Sequence, residues 1–98
     1  MTVLVRNLLP NMTREEYHSH SPKVLEKVRQ APGFQMHVGF QSPSGGWAVS
    51  EIWDSLQECE DNFEQNVRPN IPERNFEGMT REVIEDINLV TGRALVSH

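Results

Sequence analysis

The side chains that could move a proton near neutral pH are few. The chain carries four histidines, and an imidazole near its ordinary pKa takes and returns protons at pH 7. His37 lies in the alternating run Phe34 to Gln41. There Phe34, Met36, Val38 and Phe40 share one side, while Gln35, His37, Gly39 and Gln41 share the other. Two roles follow for His37. As a general base it would take a proton from a phenol or an activated C–H. If the apolar side of the run packs on helices, the imidazole points the other way, into an interface between two copies of the chain. His20 falls three residues after Tyr17, so the two could pair along one helical stripe and line a pocket. The plainer alternative is a solvated helix face with Tyr17 in the core. A metal site needs a further His or carboxylate converging from another element, and the spacing supplies none. Glu51, if buried, needs a partner such as Arg6 or Arg68. Cys59 is the single cysteine; it excludes an intrachain disulfide and a cysteine zinc site, and reads as a small apolar filler.

Periodicity along the chain shows which strands and helices carry these groups. Thr2 to Leu8 alternates as a strand with Val3, Val5 and Asn7 on one face. Thr13-Arg-Glu-Glu16 is a capping box opening a helix, whose stripe runs through Tyr17, Ser21, Val24 or Leu25, and Val28. Pro22 is expected to kink that helix or restart it with Ser21 as a new cap. Phe34–Gln41 and Trp47–Trp53 form a hairpin around Ser42-Pro-Ser-Gly-Gly46, with Trp47, Val49, Glu51 and Trp53 on one face. Asp54-Ser55 caps a second helix with the stripe Leu56, Cys59 or Glu60, Phe63 and Val67, ending at Arg68-Pro69. Its acidic residues Glu58, Glu60, Asp61 and Glu64 read as a solvated face. Residues 69–79 read as a loop, Arg81 to Val90 as the last strand, and 91–98 as a tail that is loose or reaches a partner. The order is β-α-β-β-α-β, an α+β ferredoxin-like arrangement in one domain over residues 1–98. Two helices cover one face of an antiparallel sheet. A second copy of the chain is the simplest cover for the other, so a homodimer is expected.

Composition narrows the partners. Nine Lys and Arg against fourteen Asp and Glu leave a net charge of −5, opposite to the footprint of a nucleic-acid binder. No apolar run approaches the ~20 residues that cross a bilayer. The first residues lack a charged region followed by a long apolar stretch. A cytoplasmic location is therefore the default expectation, with no membrane partner. No Gly-rich strand–turn–helix motif offers a nucleotide or phosphate site, so no cofactor is expected.

Pro32-Gly33-Phe34, His37, the Gly45-Gly46-Trp47 turn, Glu51-Ile-Trp-Asp-Ser55, Phe63 and Arg68-Pro69 together resemble the antibiotic-biosynthesis-monooxygenase-like proteins of the dimeric α/β-barrel superfamily. The resemblance spans about residues 2–90. It implies a dimeric barrel and a pocket between sheet and helices, faced by Asn7 on the first strand and by Trp53 of the Trp-Asp-Ser box; the plainer alternative has Trp53 simply in the core and Asn7 as a strand-end turn former. Tyr17 and Trp47 would complete the substrate-binding wall, with His37 or His20 as the base. Relatives that degrade haem carry a His on or after the second helix, and residues 55–79 contain none. The function implied is that of a cofactor-independent monooxygenase acting on an aromatic or polyketide-like substrate in a natural-product or quinone pathway. A cyclase or isomerase, or a non-catalytic ligand-binding dimer, remain the alternatives, because one fold hosts many activities.

Overall fold

The computed structural model describes residues 1–92; residues 93–98 of the expected tail lie outside them. The elements follow in the order β1 (Val3–Leu9), α1 (Arg14–Val28), β2 (Phe34–Gln41), β3 (Trp47–Trp53), α2 (Leu56–Asn62) and β4 (Thr80–Ile84). The strands form one antiparallel sheet in the order β2-β3-β1-β4, the ferredoxin-like α+β arrangement. Val3, Val5, Val24, Val28, Trp53 and Cys59 make a core between one sheet face and both helices. Trp53 is completely buried.

The capping box of α1 forms in full. Glu16 N–H donates to Thr13 Oγ1, and Thr13 N–H donates to Glu16 Oε1, each at 3.0 Å. Met12, just before the cap, and Tyr17, four residues after it, join one apolar cluster with Leu9 and Trp47. This staple fixes where Tyr17 enters the sheet–helix space. Pro22 does not restart the helix at Ser21: α1 runs unbroken through it. The missing amide frees only one carbonyl, and the burial of Val24 and Val28 keeps the second half of the helix formed.

The second helix departs from its expected form. Ser55 caps it, accepting from Glu58 N–H at 3.2 Å, but after Asn62 the backbone passes into a π turn, Phe63–Val67, and then a 3₁₀ turn, Arg68–Asn70. A further 3₁₀ turn, Glu73–Phe76, sits in the stretch expected to be loop. Its Asn75 is fully buried and donates to Glu16 Oε2 at 3.2 Å. The last strand ends at Ile84, well short of Val90. Among the described residues β4 pairs only with β1, in the register Leu4↔Ile84, so only Val3 of that strand remains beyond Ile84 to pair with.

One irregularity reorients β2. Phe34 pairs with Trp53 and Met36 with Ile52, so β2 advances two residues while β3 advances one. This bulge exchanges the faces of everything after it. Phe34 stays on the helix side, edge-on to Trp53 with ring centroids 5.4 Å apart. Gly33 supplies the sharp entry at φ +83°, and a Cβ there would meet the Glu58 carboxylate at 2.5 Å. Beyond the bulge, His37 pairs with Glu51 and Gly39 with Val49; His37, Gly39, Glu51 and Val49 are on the helix side. Met36, Val38 and Phe40 turn to the open face. The expected single apolar side of this strand is therefore split, and His37 points under the helices instead of into a subunit interface.

Candidate active site

Four side chains form a hydrogen-bonded chain across β3, β2 and α1. Trp53 Nε1–H donates to Glu51 Oε1 at 3.0 Å, Glu51 Oε2 lies 2.6 Å from His37 Nδ1, and His37 Nε2 lies 2.6 Å from the Tyr17 hydroxyl. The His37 and Glu51 side chains are only 13% and 12% exposed. A carboxylate accepts and cannot donate, so in the neutral imidazole that a general base requires Nδ1 carries the ring proton, Nε2 is the acceptor, and the Tyr17 O–H donates to it. The lone pairs of the Tyr17 oxygen remain to accept a proton from a ligand. Burial, and then the negative charge of Glu51, push the Tyr17 hydroxyl up to about 12. Tyr17 is therefore neutral at physiological pH and suited to pass a proton on without keeping a charge.

Glu51 takes neither expected arginine as its partner. Arg6 lies on the open face, 3.7 Å from Glu82, and Arg68 pairs with Glu64 and Glu73. The same Glu51 charge, after burial, raises the Cys59 thiol to about 11. Cys59 is thus a protonated apolar filler, not a nucleophile.

Tyr17 and His37 border a cavity of about 80 Å³ between the sheet and the helices. Asn7, His20, Glu51 and Arg81 add polar groups to its lining; Met12, Val24, Val28, Phe63, Phe76 and Met79 are among its apolar walls. Asn7 and Arg81 are cross-strand partners on β1 and β4, and Arg81 Nε–H donates to Asn7 Oδ1 at 3.1 Å. With its carbonyl engaged, Asn7 has its amide N–H left to offer a ligand. The Arg81 guanidinium lies over the Phe63 ring, 5.2 Å from its centroid. No carboxylate among the described residues pairs with it. The β2 side of the cavity can therefore accept a proton and the β1–β4 side can hold negative charge, within a largely apolar lining that strengthens both effects.

Of the groups singled out in the sequence, Asn7, Tyr17, His20 and His37 border this cavity, while Trp47 and Trp53 do not. Trp53 lies behind the site and acts on it through Glu51. Trp47 is stacked on Tyr17 with centroids 4.5 Å apart, and its buried Nε1 has no hydrogen-bond partner among the described residues. Tyr17 is hydrogen-bonded to His37 and not to His20. Arg81 escaped sequence reading, because an arginine at a strand start reads as surface; its only signal is its register opposite Asn7, which needs the sheet order. Among the described residues no helix is long and apolar enough to cross a membrane, and no cluster of three His, Cys, Asp or Glu could hold a metal ion.

No family model matches the sequence, and no curated protein matches it. Solved structures do. A Bordetella bronchiseptica protein named for the antibiotic biosynthesis monooxygenases superposes with a TM-score of 0.66 at 13% identity, over 89% of this chain and 97% of that one. Another antibiotic biosynthesis monooxygenase gives 0.63 at 13% identity, over 90% and 100%. SnoaB, a cofactor-independent oxygenase from Streptomyces nogalater, gives 0.58 at 15% identity, over 97% and 95%. Strand order, the two helices on one sheet face and these superpositions agree: the chain has the antibiotic-biosynthesis-monooxygenase-like fold.

Proposed function

We propose that this protein is a cofactor-independent monooxygenase that oxidises an aromatic or polyketide-like phenolic substrate, working as a homodimer. The observation that carries the reading is the Tyr17–His37–Glu51 chain ending at a cavity that Asn7 and Arg81 also line. The substrate hydroxyl gives its proton to the Tyr17 oxygen as Tyr17 passes its own to His37 Nε2. Glu51 stabilises the imidazolium that forms. Arg81 and the Asn7 amide hold the resulting anion.

The anion then transfers an electron to dioxygen, and the radical pair combines at the activated carbon to form a C–O bond. The proton held on His37 returns to the bound peroxide. Cleavage of the O–O bond then leaves C=O at the activated carbon, a CH₂ in the substrate's keto tautomer, while the second oxygen leaves as water carrying that proton and the hydrogen of the carbon. Dioxygen is the sole oxidant and the substrate supplies all four electrons. The cavity of about 80 Å³ is smaller than the ~150 Å³ void that accepts benzene in an engineered core. A ring must therefore displace part of the wall or project from the mouth. The wall over residues 63–76 is built of π and 3₁₀ turns, whose hydrogen bonding is weaker than that of an α-helix.

Pairing is supported by the open sheet face, where Val38 and Phe40 are 48% and 38% exposed. The test is oxygen uptake on a panel of phenols, quinols and anthrone-like ketones, with product mass measured in parallel. Consumption of one O₂ per turnover with a net gain of one oxygen and loss of two hydrogens is expected. Conversion without oxygen uptake would replace the oxygenase with an isomerase or cyclase. Tight binding without conversion would leave a ligand-binding dimer.

A further inference from the structure

We propose that Gly39 is a positioning residue for this relay, because the absence of a side chain there is what lets the Tyr17 hydroxyl reach His37 Nε2. Gly39 and His37 stand two residues apart on β2, on the same helix-side face, and Tyr17 comes down from α1 over Gly39 to meet the imidazole. A Cβ on residue 39 would lie 2.9 Å from the Tyr17 hydroxyl oxygen, 3.0 Å from its Cζ and 3.1 Å from Trp47 Nε1.

The backbone does not ask for glycine at this position. Gly39 is absent from the residues with positive φ and sits in regular pairing with Val49. Glycine inside a strand weakens it and often marks a place where another group approaches closely. The close approach here is the phenol. Tyr17 has little freedom to give way: one ring face is stacked on Trp47, and its backbone is stapled beside Met12 at the capped helix start. A methyl at position 39 therefore moves the hydroxyl off Nε2 while leaving the His37–Glu51 pair intact. Gly39 sets the link through which a ligand proton enters the relay.

The role in turnover rests on the reading of Tyr17 and His37 as a proton relay; the role in placing the hydroxyl does not. The experiment separates them. Nitrogen NMR of the imidazole in the ligand-free protein reports whether Nε2 accepts a hydrogen bond, and it needs no substrate. Gly39→Ala is expected to reproduce the His37 Nε2 shift of Tyr17→Phe, with the Nδ1 signal kept. Adding Gly39→Ala to Tyr17→Phe should then change His37 no further, since both remove one bond.

A His37 spectrum of Gly39→Ala that matches the wild type would overturn the proposal. Should Gly39→Ala not fold, Gly39→Ala/Tyr17→Leu takes its place: regained folding identifies Tyr17 as the obstructing group, and continued unfolding overturns the assignment. Once a substrate is in hand, kcat of Gly39→Ala is expected to fall to that of Tyr17→Phe with binding nearly unchanged. Loss of the NMR signature with kcat retained would leave Gly39 as the positioner and sink the relay instead.

Discussion

The two faces of β2 carry opposite burdens. Beneath the helices the strand presents His37 and Gly39, a titratable group and a gap. On the open side it presents Met36, Val38 and Phe40. Half-buried strands commonly do the reverse, with apolar side chains under the helices and polar ones in water. The bulge between Phe34 and Met36 makes the exchange. It is tolerated because each polar group it sends inward finds a partner: His37 is held on one side by Glu51 and on the other by Tyr17. An apolar face thus announces that something will cover it, without saying whether its own helices or another chain does so.

The largest effect expected from this contrast lies on the open face. Under the proposed pairing the wild type sediments at twice the chain mass at micromolar concentration. Val38→Lys/Phe40→Asp places charges where the partner would sit and should yield a monomer. A wild-type protein that is already monomeric breaks the idea that the open face is a dimer interface.

Beneath the helices the largest single loss belongs to Trp53, fully buried and the donor to Glu51. Trp53→Ala should cost about 3–5 kcal/mol in chemical denaturation, and an unchanged midpoint would remove Trp53 from the core described here. A smaller, spectroscopic effect sharpens the same contrast. Tyr17 is the only tyrosine, so tyrosinate absorbance titrates it alone. Its midpoint should lie near 12, against ~10 for a solvated phenol. Because the folded value is raised, the stabilisation it contributes is present below pH ~10 and is lost as pH rises from there to about 12. Glu51→Gln removes the charge that helps raise it, so the midpoint should fall. A normal midpoint in the wild type would mean that the hydroxyl is in water.

Much of this molecule is legible in its sequence. The capping box at Thr13 and Glu16, the Ser55 cap, and the hairpin bounded by Gln41 and Trp47 depend on local chemistry, and each falls where its residues indicate. The alternation of β3 places Trp47, Val49, Glu51 and Trp53 together. What resisted reading is what depends on distant partners. The bulge after Phe34 exists because that ring packs on Trp53 while His37 pairs with Glu51, and parity counted along β2 alone cannot register the extra residue. The π turn at Phe63–Val67 carries an apolar pattern that also suits a continuous α-helix. The end of β4 is set by where β1 begins, and Arg81 joins the site only through its register with Asn7.

In the proposed reaction His37, oriented by Glu51 and reached through Tyr17, accepts the proton that starts the chemistry. Its most direct test is turnover and ligand affinity measured side by side for His37→Gln on the first substrate that supports oxygen uptake. Glutamine preserves much of the shape and hydrogen bonding but does not take up a proton at neutral pH. The expected result is that kcat falls ~10²–10⁴-fold while the dissociation constant moves far less. Wild-type turnover in His37→Gln would contradict it, leaving Asn7 and Arg81 to act by binding alone.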